Sequence, residues 1–146
     1  MVKINFRKID DNAKVPTRGS NEAAGYDLYA DVDDIIEIKP HCTVKIGTGL
    51  AMEIPDGYFG AIFARSGLAT KEGLRPSNCV GCVDQDYRGQ VIVALHNDCD
   101  TSRFITPNER IAQLVIIPYL EVEFNEVDKL NTTSRGTGGF GSTGRN

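Results

Sequence analysis

Turn-forming residues recur along this sequence at intervals that leave almost no room for a helix. They are Pro40, Gly47, Pro55-Asp56-Gly57, Gly67, Gly73, Gly81, Gly89, Asn97-Asp98 and Pro107-Asn108. Only residues 66–72 leave space for a turn or two of helix. Many short strands at even spacing are typical of an antiparallel sandwich, barrel or jelly roll, so the sequence predicts an all-β fold.

Hydrophobic periodicity supports the same fold class. Apolar and polar residues alternate with period two at residues 44–46, 50–54 and 122–124, which predicts strands with one buried face. Residues 91–95 and 114–117 are apolar throughout and rich in β-branched side chains. We therefore expect these two segments to be strands buried on both faces.

Length and composition fit one globular domain of 146 residues, with 40% hydrophobic and 25% charged residues. We divide it into a β domain, residues 1–134, and a glycine-rich tail, residues 135–146. No apolar run is long enough to span a bilayer, and the N-terminus has no signal-peptide pattern, so we expect a cytoplasmic protein without a membrane contact. In that compartment the four cysteines should stay reduced.

The formal net charge of −4 argues against direct nucleic-acid binding, which requires a concentrated basic surface. A small anionic ligand needs only a few arginines with forked donors. The candidates, set among glycines and polar residues, are Arg65, Arg88, Arg110, Arg135 and Arg145.

The tail contains five glycines, one aromatic residue and two overlapping G-x-G-x-x-G matches, at residues 136–141 and 139–144. No strand and helix flank these matches, so they do not indicate a dinucleotide-binding fold. A mobile strip of backbone N–H groups, with Ser142 and Thr143, can instead wrap a phosphate chain as a lid. Phe140 within the strip can stack on a base.

Two internal segments carry groups suited to nucleotide chemistry. In residues 64–69, Arg65, Ser66 and Gly67 combine a guanidinium, a hydroxyl and an approachable backbone. In residues 77–89, Asn78, Asp84 and Tyr87 can converge on one hairpin surface between two glycine bends.

Asp84 and Asp86 form an Asp-x-Asp pair that has three interpretations: a solvated turn, a metal site, or a general base beside a structural carboxylate. Cys79-x-x-Cys82 is a single pair without a second pair to complete a zinc site, and the βαβ context of a thioredoxin motif is missing. Reduced core thiols explain it better.

Taken in order, residues 24–30, 65–69, 81–89, 110–113 and 135–144 resemble the five motifs of the homotrimeric dUTPase family. The resemblance implies a jelly roll or β-clip-like distorted barrel with at most one short helix and a flexible tail. It implies hydrolysis of dUTP to dUMP and pyrophosphate, which limits uracil incorporation into DNA and supplies dUMP for thymidylate synthesis. It also implies a homotrimer whose sites are shared between subunits.

The same resemblance assigns the phosphate chemistry. Asp84 is the base that activates a water to attack the α-phosphorus. Mg²⁺ is carried mainly on the triphosphate, with Asp27 acting on it through water. The phosphate-binding groups are Arg65, Ser66, Gly67, Gln113, Arg135, Gly141, Ser142 and Thr143.

It assigns the nucleoside contacts too. Asn78 and the backbone of Gly81, Cys82 and Val83 contact the uracil, Tyr87 packs on the sugar, Ile92 lines the site, and Phe140 stacks on the base. Ala64 and Cys82 depart from the family's usual proline and aliphatic residue, and Cys82 suggests an oxidation-sensitive hairpin. The alternatives are a dCTP deaminase of the same fold, and a non-catalytic or regulatory homologue that signals through a protein partner.

Overall fold

Eleven strands and one short helix form the regular structure of the described residues, 2–78 and 80–140, in this computed structural model. The strands are β1 (Asn5–Lys8), β2 (Thr17–Arg18), β3 (Tyr26–Tyr29), β4 (Ile36–Ile38), β5 (Thr43–Glu53), β6 (Tyr58–Phe63), β7 (Leu74–Pro76), β8 (Gly81–Val83), β9 (Gln90–Asn97), β10 (Arg103–Ile105) and β11 (Arg110–Pro118). The helix, α1, is Ser66–Glu72. The all-β prediction and the position of its one helix are confirmed.

Two antiparallel sheets and a two-stranded ribbon organise these strands. One sheet has the order β2-β3-β11-β6-β8, the other β1-β5-β9-β7, and the ribbon joins β10 to β4. Buried residues from both large sheets, such as Leu114 and Ile62 from one and Leu50 and Val93 from the other, form a single core cluster. The described strands stay in separate sheets and do not close into a barrel.

The two strands predicted to be buried on both faces are covered on one face only. In β9, Val91 and Val93 are buried, whereas Ile92 between them is 44% exposed. In β11, Leu114 is buried but Val115 and Ile117 are only half-buried. The outer face of each sheet has no second layer among the described residues, so the prediction is wrong for the isolated chain.

The strand predicted at residues 122–124 is absent from the described structure, where residues 119–140 form no strand. Val122 is 68% exposed and Phe124 is 94% exposed. Alternation predicts which side chains share a face, but a strand forms only where a partner accepts and donates its backbone hydrogen bonds. Among the residues that the structure describes, this segment has no such partner.

Helix α1 ends at Gly73, whose positive φ of 65° closes the last turn and lets its amide donate to the Leu68 carbonyl. With seven residues it is far too short to cross a bilayer, and it is the only helix in the described parts of the chain.

Candidate active site

Strand β6 fixes the relative positions of the predicted site residues. It lies between β11 and β8 in its sheet, and its C-terminal end leads through Ala64 into Arg65 and α1. At its other end Gly60 pairs with Val83, so Asp84 comes next to the start of β6. The two ends of this strand therefore carry two separate groups of polar side chains.

The first group lines a polar recess of about 220 Å³ at the C-terminal end of β6. Asp27, Gln113 and Phe63 stand side by side on three neighbouring strands, and Arg65 follows two residues later. The residues that line the recess are Gly19, Ala23, Gly25, Asp27, Arg65, Ser66, Gly67, Arg110 and Gln113. The recess thus unites three of the five sequence segments.

Asp27 holds two arginines at this recess. Its carboxylate accepts a hydrogen bond from Nε of Arg65 at 2.9 Å and another from Nη1 of Arg110 at 3.3 Å. Arg65 also donates to the Arg110 carbonyl at 3.3 Å. Two guanidinium groups with one carboxylate leave a net positive charge, which suits an anionic ligand. Arg110 was one of the candidate arginines for an anionic ligand, but the family resemblance gave it no role, although it begins the fourth motif.

Gln113 fixes the backbone just before Arg65, because its side-chain amide donates to the Ala64 carbonyl at 2.8 Å. Gly25 makes this contact possible. A Cβ at position 25 would stand 2.5 Å from the side-chain oxygen of Gln113. The glycine of the first motif therefore allows close packing against the fourth.

Ser66 and Gly67 begin α1 on the open side of the recess. Both are exposed, and nothing lies within 4 Å of a Cβ built at Gly67. No side chain in the described part of the chain caps the helix start at Arg65. Backbone N–H groups in this first turn remain available for other acceptors.

The second group is the hairpin formed by β8 and the turn that follows it. Gly81 and Val83 face the core, and Cys82 faces outwards between them. A Cβ at Gly81 would approach the Asn78 side-chain nitrogen to 3.2 Å and Ile62 to 3.1 Å. Glycine at this position keeps the Asn78 amide close to the hairpin backbone.

Asp84 is exposed at the point where β8 ends. The amide of Tyr87 donates to the Asp84 carbonyl at 3.2 Å, which closes a turn. Asp86 lies within this turn, so the two acids do not follow the alternation of a strand. Of the three interpretations of the pair, the solvated turn describes this geometry, since both acids are exposed.

Cys82 contacts Asp84 directly, with Sγ donating to Oδ1 at 3.5 Å. Burial raises the pKa of the Cys82 thiol above its ordinary value, and the hydrogen bond to Asp84 and the charge of that carboxylate raise it further. The thiol therefore stays protonated and low in reactivity at neutral pH, which argues against the oxidation-sensitive hairpin.

Tyr87 folds over its own turn and donates from its hydroxyl to the Gln90 carbonyl at 2.8 Å. A Cβ at Gly89 would stand 2.5 Å from the Tyr87 hydroxyl, so the glycine that closes the third motif makes room for the ring. The residue remains 43% exposed. Part of it is available to pack against a ligand.

A recess of about 530 Å³ opens beside Asp84. Its walls are Phe59, Cys82, Asp84, Gln85, Asp86 and Tyr119. Sequence reasoning did not single out Gln85 or Tyr119, which meet here across the sheet. No motif marks such a contact, because it joins two residues that are 34 positions apart.

The remaining predicted residues lie outside both groups. Ile92 is on the open face of β9, and Arg135 and Phe140 are exposed in the C-terminal segment. Gly141, Ser142 and Thr143 fall outside the described residues, as does Cys79 of the Cys-x-x-Cys pair. Among residues 2–78 and 80–140, no three His, Cys, Asp or Glu side chains are grouped closely enough to hold a metal ion.

Comparison with known proteins gives one consistent result. A family model described as dUTPase matches residues 11–144. The deoxyuridine 5'-triphosphate nucleotidohydrolase of Hydrogenobaculum sp. (strain Y04AAS1) is 44% identical over 143 residues, covering 98% of this chain and 99% of the relative. The enzyme of the same name from Desulfitobacterium hafniense (strain DSM 10664 / DCB-2) is 46% identical over 144 residues, covering 98% and 95%.

Solved structures show the same likeness in the fold. A Staphylococcus bacteriophage 80alpha dUTPase with dUPNHPP has a TM-score of 0.88 and 28% identity, and the match covers 99% of each chain. A mutant dUTPase from phage phi11 of S. aureus, described with a structural Mg(II) ion, has a TM-score of 0.80 at 24% identity, covering 90% of this chain and 100% of that one. The jelly-roll prediction is confirmed by these neighbours.

Proposed function

We propose a role in the reaction for each group of site residues, starting from the finding that this chain belongs to the dUTPase family. The chain is a hydrolase that converts dUTP to dUMP and pyrophosphate. In the proposal Asp84 acts as the base, the Asp27–Arg65–Arg110 group binds phosphate, and two copies of the chain contribute to each site.

Asp84 is the residue on which the proposal depends. Its carboxylate is exposed at the end of β8, and a hydrogen-bonded turn fixes its backbone. A carboxylate held in this way can take a proton from a water that attacks the α-phosphorus. Pyrophosphate then leaves, and its negative charge requires cations beside it.

The polar recess supplies those cations. Arg65 and Arg110 are oriented by Asp27, so little conformational freedom is lost when they bind phosphate oxygens. Ser66 and the open backbone at Gly67 add donors beside them, and Gln113 holds the segment in position. Donors that are already held in place stabilise the transition state more than the ground state, because they need not reorganise as negative charge develops on the phosphate oxygens.

The hairpin accounts for the choice of nucleoside. Asn78 and the backbone of Gly81, Cys82 and Val83 offer donors and acceptors to the uracil edge, in a space that excludes a thymine methyl. The exposed part of Tyr87 packs on the deoxyribose, where a ribose hydroxyl would clash. Ile92 lies outside the hairpin, on the open face of β9, and its role as a lining residue rests on the family resemblance.

Each site requires more than one copy of the chain. Phe59 and Arg65 are six residues apart, so the two polar groups are separated by about 20 Å at roughly 3.3 Å per residue. Residues that pair across strands share a face of the sheet, so Ala61 and Val115 lie between the groups, with Phe63 at the recess end and Phe59 and Ile117 at the hairpin end. A triphosphate has no partner on such an apolar strip, which supports a site in which the hairpin of one copy meets the recess of another.

Burial in an assembly also accounts for the half-covered strands. Val115, Ile117 and Ile92 were expected to be buried, and Leu120, Val122 and Phe124 are 87%, 68% and 94% exposed in one chain. Surfaces of this type are covered in obligate oligomers. A homotrimer with shared sites would cover these surfaces. Because three copies close into a ring, no copy of the interface is left without a partner.

Residues 135–146 close the site as a lid. Arg135 and Phe140 are exposed at the end of the described chain, where Arg135 can reach phosphate and Phe140 can stack on the base. The predicted donors Gly141, Ser142 and Thr143 complete the lid. Closure excludes water other than the attacking one.

The chain's own residues fit a magnesium ion carried by the substrate. Asp27 is the only carboxylate that lines the phosphate recess in the described residues, and both its oxygens already accept hydrogen bonds from arginines. A hard cation that keeps its waters, bound mainly by phosphate oxygens, suits this arrangement. A bound Mg²⁺ would neutralise charge on the phosphate chain, and Asp27 would act on it through water.

The variant Asp84→Asn tests the assignment of the base. We expect turnover of dUTP to fall by at least about a hundredfold, the contribution typical of a general base. Binding of a non-hydrolysable dUTP analogue, measured by calorimetry, should change little. Asp56→Asn, which removes an exposed carboxylate from a neighbouring turn, serves as the control and should retain turnover. Substantial turnover by Asp84→Asn would refute the role of Asp84.

A further inference from the structure

The turn that carries Asp84 has few ties to the rest of the chain. Within residues 84–88, Gln85 is the only residue that is half-buried, and the other four are exposed. Most hydrogen bonds of the turn stay inside it or reach only its own edge, such as those from Arg88 to the Gln85 and Tyr87 carbonyls. Burial alone therefore does not determine where Asp84 stands.

Besides the contacts of Tyr87 with Gln90 and of Asp84 with Cys82 on the adjoining strands, two side chains connect this turn to other elements in the described structure. Arg88 reaches Glu53 on β5 at 3.6 Å, and both side chains are about half exposed, so this ion pair contributes little. Gln85 reaches in the other direction. Its side-chain oxygen accepts a hydrogen bond from the Tyr119 hydroxyl at 3.1 Å and a longer one from the Gly57 amide at 3.4 Å.

Tyr119 is a firm anchor for this contact. It follows directly after β11, and its amide donates to the Gly57 carbonyl at 3.0 Å. Gly57 in turn has a positive φ of 77°, a conformation that glycine adopts without strain. The backbone of Tyr119 is thus fixed independently of its hydroxyl, and the hydroxyl is free to hold Gln85.

We propose that Gln85 and Tyr119 form a latch that positions Asp84 for dUTP hydrolysis. Gln85 adjoins Asp84 in the chain, so holding its side chain restricts the backbone on which the carboxylate stands. Both are positioning residues, since they act on the reaction through Asp84. The inference rests on the proposed role of Asp84 as the base.

The latch also links the base to the start of the C-terminal segment. Residues 119–140 leave the sheet at Tyr119 and carry exposed apolar side chains towards the lid.

A double-mutant cycle tests the latch. Tyr119→Phe removes only the hydroxyl, Gln85→Met removes the acceptor at similar length, and the third variant combines both changes. We expect each single variant to lower kcat about three- to tenfold, the effect of one hydrogen bond, with KM within about twofold of wild type. The double variant should be no slower than the worse single variant, because both changes break the same contact.

Tyr58→Phe is the matched control. It removes a tyrosine hydroxyl from the neighbouring strand β6, where that hydroxyl makes no hydrogen bond to the residues described. Its kcat should equal that of wild type, and thermal midpoints of all variants should agree within a few degrees. A structural defect would lower the thermal midpoint along with kcat, whereas a positioning defect lowers kcat alone.

The outcomes separate this inference from the proposed function. Tyr119→Phe with wild-type kcat, or a double variant whose losses multiply, would overturn the latch even if Asp84→Asn is inactive. An active Asp84→Asn variant would overturn the role of Asp84 and the latch with it. The pH–rate profile of Tyr119→Phe gives a further distinction. A fall in kcat while the acid limb of that profile stays at the same pH as in wild type supports a positioning role over a change in the base itself.

Discussion

The carboxylate of Asp27 lies 2.9 Å from Nε of Arg65, in a partly buried ion pair that joins the first motif to the second. The side chain of Asp27 is 13% exposed and that of Arg65 is 27% exposed. Solvent screens this pair less than it screens a surface pair. The recess therefore depends on Asp27 for the orientation of its cations as well as for stability.

We predict that Asp27→Asn lowers kcat/KM for dUTP by at least about tenfold, because Arg65 and Arg110 lose their common acceptor. The free energy of unfolding should fall by about 1–2 kcal/mol, between the values for surface and buried pairs. Steady-state kinetics and urea denaturation measure the two effects.

The control for this variant is Asp98→Asn. Asp98 accepts two hydrogen bonds from Arg75, at 2.7 and 3.0 Å, outside both groups of site residues. It should lose less than about 1 kcal/mol of stability and retain kcat/KM. An Asp27→Asn variant with wild-type kcat/KM would contradict the proposed phosphate recess.

Mixing two inactive variants tests whether each active site is shared between copies of the chain. Arg65→Ala and Asp84→Asn should each be inactive alone, since each lacks one half of every site. If the halves come from different copies, co-refolding equal amounts should restore about a quarter of wild-type activity, as expected for random assembly of such a ring. Mixing without unfolding is the control for exchange, and no recovery after co-refolding would show that one chain holds the whole site.

Local sequence signals predicted much of the fold, because turn residues and alternating side chains act over a few positions. The helix of residues 66–72 was found in this way, and it ends at the turn residue Gly73. The strand predicted at residues 122–124 shows the limit of the method. Its alternation is real, but a backbone partner is a property of the assembled sheet and not of the segment.

The identity of several site residues was predictable from local motifs, but their spatial arrangement was not. Asp27, Arg65 and Gln113 belong to recognisable motifs, and the structure brings them into one recess. Their separation from Asp84 by the length of β6 depends on strand register, which no motif encodes. The contact between Gln85 and Tyr119 likewise arises from that register.

Alkylation of Cys82 tests its contact with Asp84. The carboxylate raises the pKa of the thiol, after burial has already raised it, so the thiolate population is small. We predict that Asp84→Asn lowers this pKa and speeds reaction with iodoacetamide at pH 8 by about two- to fivefold. Cys42, which is exposed, serves as the internal control and should react at the same rate in both proteins. An unchanged rate at Cys82 would show that Asp84 does not act on the thiol.

Asp31 makes the stability of the fold depend on pH. Burial raises its pKa above the ordinary 3.8, and the nearby charges of Asp10 and Asp33 raise it further. The folded chain therefore binds a proton more tightly than the unfolded chain, so stability falls as pH rises from 3.8 through the raised pKa. Above that window the charged carboxylate destabilises the fold in full.

Replacing the charge should remove this penalty. We predict that Asp31→Asn raises the free energy of unfolding at pH 7.5 by about 0.5 kcal/mol, the scale of exposed charge interactions. The gain should shrink as pH falls towards 3.8, where the wild-type carboxyl also becomes neutral. Asp34→Asn, which removes the same charge from an exposed neighbour, should show a smaller gain. Urea denaturation at several pH values measures both. A gain for Asp31→Asn that stays constant as the pH is lowered would mean that charge is not its cause.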